Sequence, residues 1–166
     1  MMVTMTNKIP EPRAAYIHVP FCRHRCGYCD FTLVAGRDDL IDDYLRALEI
    51  ELQSLDEQKA LDTLFLGGGT PSPPSAEHLT RLMDLLFDHF LLADGYEFSI
   101  EANPIDLGLE KIDVLVNAGV NRISLGVQSF HDHELVRLGR THTADQARTA
   151  ITTLRDAGCT NLSLDL

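Results

Sequence analysis

The chain has 166 residues, 45% of them hydrophobic and 23% charged, ordinary globular proportions with length enough for one buried core. Its 25 acidic residues against 14 basic ones give a formal charge of −11, so no broad basic face exists to collect a phosphate backbone, and nucleic acid is excluded as a partner class. Residues 1–15 mix apolar with polar residues, carry Pro10 and Pro12 and lack the continuous apolar stretch of a signal peptide, and no later run reaches membrane-spanning length. A cytoplasmic protein without an integral membrane segment is expected, with a flexible segment over residues 1–13 leading into one domain over 14–166.

Short apolar runs at 16–21, 63–66, 96–100, 122–127 and 161–166 have strand length, and Gly, Pro or Asn marks most of their ends. Helical stripes separate them. Leu40, Ile41, Tyr44, Leu45, Leu48, Leu52 and Leu55 recur behind an acidic first turn (Asp38, Asp39, Asp42, Asp43) that complements the helix dipole. Leu79, Leu82, Leu86 and Phe90 form the second stripe, Leu109, Ile112, Leu115 and Val116 the third, and Ala147, Ala150, Ile151 and Leu154 the last. Strands alternating with helices predict an α/β fold with a parallel sheet of about five βα units. An internal repeat supports this: "AGVNRISL" from Ala118 matches "AGCTNLSL" from Ala157 at a spacing of 39 residues, the length of one βα unit. In each copy the glycine follows a helical stripe and is expected to be its left-handed cap. Cys159 aligns with Val120, which predicts a small buried apolar role for it rather than a ligand's.

A parallel strand covered by apolar layers on both faces should be almost continuously apolar, yet three strands here keep one polar face. Tyr96, Phe98 and Ile100 alternate with Glu97, Ser99 and Glu101; Ile123, Leu125 and Val127 with Ser124, Gly126 and Gln128; Leu162 and Leu164 with Ser163 and Asp165. With the apolar faces against helices, the polar faces line a shared lumen, and Glu101, Gln128 and Asp165 stand near C-terminal strand ends, where α/β barrels put their active sites. The competing reading is a sheet with one solvated face.

The second strand runs into Gly67, Gly68, Gly69, Thr70 and Pro71. Such a turn lets a ligand approach the backbone, although most Gly-rich turns are only tight, and no Gly-Lys-Ser/Thr follows to make a P-loop. Three of the four cysteines, Cys22, Cys26 and Cys29, form CxxxCxxC directly after the first strand. Structural zinc would need a fourth ligand such as His18 or His24, and a dithiol at Cys26 and Cys29 would leave Cys22 unexplained. A [4Fe–4S] cluster on three thiolates would keep one iron open to an outside ligand.

These motifs resemble the radical S-adenosylmethionine (SAM) superfamily. More narrowly, "YIHVPFCRHRCGYCDF", "LFLGGGTPS", "EANP", "NRISLGVQSF", "LGRTH" and "SLDL", spanning 16–166 in order, resemble the family of oxygen-independent coproporphyrinogen III oxidase and its relative, the haem chaperone. The resemblance implies a radical SAM barrel. It also implies that Cys22, Cys26 and Cys29 ligate a [4Fe–4S] cluster whose open iron chelates SAM, and that the cluster's electron cleaves the sulfonium to a 5′-deoxyadenosyl radical. Tyr16, Tyr28, Gly68, Gly69, Thr70, Glu101, Gln128, Arg140 and Asp165 match cofactor-binding positions. Phe31 stands where the oxidase branch has a further cysteine, and the motif begins near Met1. Both favour the chaperone branch, which implies binding haem and delivering it to haem-accepting respiratory proteins. The alternative is oxidative decarboxylation of a porphyrinogen in haem biosynthesis.

Arg23, His24 and Arg25 form a local positive patch or a solvated loop. His18 is expected to pack near the cluster, and His131, His133 and His142 to be solvated in a polar connection rather than to bind haem. Leu166 falls inside the last strand, so the chain is expected to be the N-terminal part of a longer core domain and to be inactive in isolation.

Overall fold

A computed structural model describes residues 11–71 and 75–166. Strand β1 (Ala14–Val19) is followed by the short β2 (Phe21–Cys22) and β3 (Val34–Ala35), then α1 (Ile41–Leu52), β4 (Lys59–Gly68), α2 (Ala76–His89) and β5 (Phe90–Ala102). The chain continues through α3 (Leu109–Asn117), β6 (Arg122–Gly126), α4 (Asp132–Arg137), α5 (Ala144–Asp156) and β7 (Leu162–Asp165). Strands β1, β4, β5, β6 and β7 form one sheet in that order, every neighbouring pair parallel. Neighbours in space are neighbours in sequence, with no reversal of order. That is the wall of a (β/α) barrel rather than a doubly wound sheet, and it brings the C-terminal strand ends to one rim.

Alternation along the strands decides which face packs. Leu64, Leu66, Phe98, Ile100, Ile123 and Leu125 are fully buried and belong to one continuous apolar cluster with Ile41 and Leu45 of α1, Leu79, Leu82 and Leu86 of α2, and Leu154 of α5. Helix starts are specified locally. Ser75 accepts the His78 amide ahead of α2, and Thr143 and Gln146 make a reciprocal capping box ahead of α5. The expected flexible segment falls mostly on residues 1–10, outside the described residues; at its end Arg13 pairs with Asp62, and its carbonyl accepts the Asp62 amide at 2.7 Å.

Several expectations are corrected. The first strand stops at Val19 instead of Phe21, because Pro20 has no N–H to continue the ladder. The chain then starts again as β2 against β3, with the Val34 amide on the Pro20 carbonyl at 2.8 Å and the Gly36 amide on the Cys22 carbonyl at 2.9 Å. Phe90 opens β5 rather than closing α2, its backbone extended at φ −126°. Leu109 and Val116 are exposed, so Ile112 and Leu115 carry the inner stripe of α3.

The repeat is a repeat of structure. At the end of α3 the Val120 amide reaches the Leu115 carbonyl and the Gly119 amide that of Val116; at the end of α5 Cys159 reaches Leu154 and Gly158 reaches Arg155, all at 2.9–3.0 Å. These pairs are the two bonds of a Schellman cap, which needs a left-handed residue, and Gly119 and Gly158 have φ of +82° and +89°. Cys159 packs against the core but is half-buried rather than buried as expected, and burial raises its thiol's pKa. The surroundings of the glycines differ. A Cβ on Gly158 would meet nothing within 4 Å, whereas one on Gly119 would stand 2.6 Å from the Tyr96 hydroxyl. Gly158→Ala should therefore lower the unfolding free energy in urea by about 1–2 kcal/mol, the left-handed strain alone. Gly119→Ala should cost more, because it also displaces the Tyr96 hydroxyl from the Gly119 carbonyl, 2.9 Å away. Equal losses would contradict the assignment.

Candidate cofactor site

The rim of the sheet carries an open cavity of about 170 Å³. The cysteine loop, from Cys22 through Cys29, supplies one wall with Cys22, Cys26, Tyr28 and Cys29. Gly68, Gly69 and Thr70 line it at the end of β4, Glu101 at the end of β5, Gln128 just beyond β6, Asp165 on β7, and Arg140 ahead of α5. Of the cluster-ligating and cofactor-binding residues that the resemblance implies, only Tyr16 stays outside this lining. It lies mid-strand on β1, stacks on Phe65 with ring centroids 5.8 Å apart, and borders a neighbouring cavity that shares Phe31, Gly68 and Glu101 with the first. Of the polar strand faces, Glu101, Ser124, Gly126, Gln128 and Asp165 line this recess, whereas Glu97, Ser99 and Ser163 do not.

Packing within the chain gives the glycine turn a reason of its own, beside the ligand approach expected of it. A Cβ on Gly69 would stand 2.4 Å from the Phe21 carbonyl oxygen, one on Gly68 2.8 Å from His18 Cε1, and one on Gly67 2.7 Å from the Phe65 ring. The chain's own close approaches therefore account for all three glycines. Gly68 also has a φ of +122°, a backbone that L side chains rarely adopt. At that spacing the Gly69 amide bonds the Val19 carbonyl at 2.9 Å and the Thr70 amide the Phe21 carbonyl at 2.6 Å, which ties the base of the cysteine loop to β4.

Two of the three thiols have hydrogen-bond partners. The Thr70 hydroxyl donates to Cys22 Sγ at 3.6 Å, and Arg140 Nη1 donates to Cys26 Sγ at 3.6 Å and to the Tyr28 hydroxyl at 3.4 Å. Inside the loop the Cys29 amide closes a turn on the Cys26 carbonyl, while Arg25 donates to the carbonyls of Cys29 and Phe31. Arg23 Nε lies 3.1 Å from the buried Asp106 carboxylate, within ion-pair range but off the hydrogen-bond line. The basic patch in the loop is thus partly used to shape it. Among the described residues no three His, Cys, Asp or Glu side chains converge closely enough to hold one metal ion.

The carboxylates differ in environment. Glu101 Oε2 accepts the Gly68 amide at 3.0 Å. Burial pushes its carboxyl above the usual range; the Gly68 bond opposes the rise and the Asp165 charge adds to it. Asp165 is exposed and accepts from Ser124 at 3.1 Å, and its carbonyl receives the Gln128 amide at 2.7 Å. Gln128 holds the left-handed region at φ +68°, the lone non-glycine to do so among the described residues. Such strain persists where its surroundings over-determine it, commonly at ligand sites. His18 is locked beside the turn, Nε2 on the Thr32 carbonyl at 2.9 Å and Nδ1 on the Tyr16 hydroxyl at 3.2 Å.

Two residues escaped the sequence reading. His142 is buried rather than solvated, with Nε2 on the Val127 carbonyl at 2.9 Å, and burial lowers its pKa. Asn103 lines the cavity and bonds three neighbours, its amide nitrogen donating to Thr70 Oγ1 at 2.8 Å and Asp106 Oδ2 at 3.3 Å, its oxygen accepting from Arg140 Nη2 at 2.6 Å. The alternation Glu97, Ser99, Glu101 continued by one step would have found it.

The profile described as the radical SAM superfamily matches residues 16–166. The chain belongs to that superfamily. It is 45% identical over 158 residues to the heme chaperone HemW of Lactococcus lactis, an overlap of 95% of this chain and 41% of that protein. To the heme chaperone HemW of Escherichia coli it is 39% identical over 166 residues, covering 96% and 43%. Among solved structures, the E. coli coproporphyrinogen III oxidase HemN, described as a radical SAM enzyme, superposes with a TM-score of 0.87 at 32% identity, covering 96% of this chain and 38% of that one. The chain spans about two fifths of the length of these curated relatives. A [4Fe–4S] cluster and SAM are general to the superfamily.

Because burial raises the Glu101 carboxyl's pKa, the native state keeps that proton to higher pH than the unfolded chain. Stability should therefore fall as pH rises from the ordinary glutamate range through the raised native value. Glu101→Gln removes this contribution, so the difference in urea unfolding free energy should move in the variant's favour across that interval. A pH-independent difference would contradict the assignment.

Proposed function

We propose that Cys22, Cys26 and Cys29 hold a [4Fe–4S] cluster with one iron left for SAM, and that the complete protein is a haem chaperone of the radical SAM superfamily, binding haem and delivering it to haem proteins. The observation that carries the cofactor reading is the convergence of three free thiols with Glu101, Gln128, Arg140 and Asp165 around one cavity. The donor set fits. Thiolates are the ligands of iron–sulfur clusters, each taking its own iron, so they need not crowd around one ion. Hydroxyl and guanidinium donors already sit on two of the sulfurs. Arg140 and Glu101 both line the cavity, and Glu101 has a second carboxylate oxygen free of protein hydrogen bonds, which sets a cation and an anion to meet the charged ends of an amino-acid moiety.

When bound, the cluster and SAM supply one-electron chemistry. The chain's own residues bind and orient: the cysteine loop presents its thiols to the cavity, the clasp at Gly69 and Thr70 holds that loop at the rim, and Gln128, Asp165 and Tyr28 offer further polar contacts to SAM. Tyr16 lines the neighbouring cavity together with Gly68 and Glu101.

Two observations support the chaperone over the oxidase: Phe31 at the position where the oxidase branch carries a further cysteine, and the HemW names of relatives at 39–45% identity. The fold likeness to HemN keeps porphyrinogen oxidation as the alternative. Anaerobic reconstitution with iron and sulfide should load about four irons per chain, and Cys22→Ser, Cys26→Ser or Cys29→Ser should each lose most of that iron while Cys159→Ser keeps it. Stoichiometric zinc without cluster absorption would overturn the cofactor reading. In the full-length protein, saturable haem binding without consumption of coproporphyrinogen is expected, and the reverse pair of results would favour the oxidase.

A further inference from the structure

Asn103 lines the cavity beside the cysteine loop, and the three hydrogen bonds of its amide each lead by a different route into that loop. Its nitrogen donates to the Thr70 hydroxyl, which donates to Cys22 Sγ. Its oxygen accepts from Arg140 Nη2, and the same guanidinium reaches Cys26 Sγ through Nη1. The second nitrogen hydrogen points to Asp106, whose other oxygen faces Arg23, the residue after Cys22. Arg140 is further pinned by the Gly126 carbonyl at 2.7 Å. The backbone makes Asn103 a good anchor: it follows β5 in extended geometry, with φ −101° and ψ 147°, and precedes Pro104 and a short turn over Pro104–Asp106.

Resting on the reading that these thiols carry a cluster, we propose that Asn103 is a positioning residue that aims the Thr70 and Arg140 donors at Cys22 and Cys26 and thereby sets the cluster's reduction potential. The reason is electrostatic. Reduction adds negative charge to the cluster and its sulfurs, and donors directed at those sulfurs stabilise the more negative form and raise the potential. A fixed amide holds two such donors at once. Without it the Arg140 side chain keeps only its Gly126, Cys26 and Tyr28 contacts, the Thr70 hydroxyl is free to turn away from Cys22, and the donors spend less time on sulfur. The Asp106 contact restrains the loop through Arg23 and carries no donor to a thiol.

The test is a redox titration of the reconstituted chain followed by electron paramagnetic resonance, with iron and sulfide assayed on the same samples. Asn103→Ala should keep its iron but move to a more negative potential, with the ratio of reduced to oxidised cluster about tenfold lower at the wild-type midpoint, equivalent to about 59 mV for one electron. Asn103→Asp keeps an acceptor for Arg140, loses both donor hydrogens and adds a negative charge, so it should shift at least as far in the same direction. Asn121 serves as control, a structural amide bonded to the Phe98 amide and the Tyr96 carbonyl, away from the loop. Asn121→Ala should lower stability without moving the potential. An unchanged potential in iron-replete Asn103→Ala, an equal shift in Asn121→Ala, or loss of iron from both Asn103 variants while Asn121→Ala retains it would each overturn the positioning role. A wild-type chain that takes up no cluster would instead contradict the cofactor reading itself.

Discussion

The rim of this molecule depends on how closely the turn after β4 passes the chain between Val19 and Phe21. The parallel register sets His18 beside Gly67 and Val19 beside Gly68, and the glycines permit an approach at which the Gly69 and Thr70 amides reach across to carbonyls of the preceding segment. Pro20, which cannot donate, ends β1 and leaves that segment free to turn outward. The cysteine loop beyond it is anchored at both ends, by the turn on one side and by β3 on the other. A side chain on Gly69 would collide with backbone rather than with a movable side chain, so the clasp has no slack.

Electrostatics at the rim run against the character of the whole chain. The overall charge is −11, yet Arg23, Arg25 and Arg140 gather around the cysteine loop, each held by a specific partner. Local fields in a recess depend on the nearest fixed charges more than on the distant sum. A cluster bound through thiolates would be anionic, and this recess sets the Arg140 guanidinium against the Cys26 sulfur, with Glu101 and Asp165 lining the same cavity.

Much of this arrangement is legible in the amino-acid order, and the part that is not has identifiable causes. Strand alternation pointed to Glu101, Gln128 and Asp165 because period two is imposed by the pleat itself, and the three cysteines and the 39-residue repeat declare themselves by spacing. Phe90 was misplaced because its position fits the helical stripe as well as the following strand, and only the extended backbone separates the two. The burial of His142 depends on a carbonyl fifteen residues away, a tertiary fact without local signature. Asn103 belongs to a motif that could be read, but its role rests on partners drawn from three other segments, Thr70, Asp106 and Arg140.

The fold and the site meet at one claim, that the cysteine loop leaves a coordination position for SAM on a cluster of three thiolates. The measurement closest to it is the electron paramagnetic resonance spectrum of the reduced, reconstituted chain before and after SAM is added in excess. SAM should change the cluster's g-values, because its amino-acid end takes the iron that no cysteine holds. A spectrum unaltered by saturating SAM would mean that the fourth position is closed, and would contradict that claim.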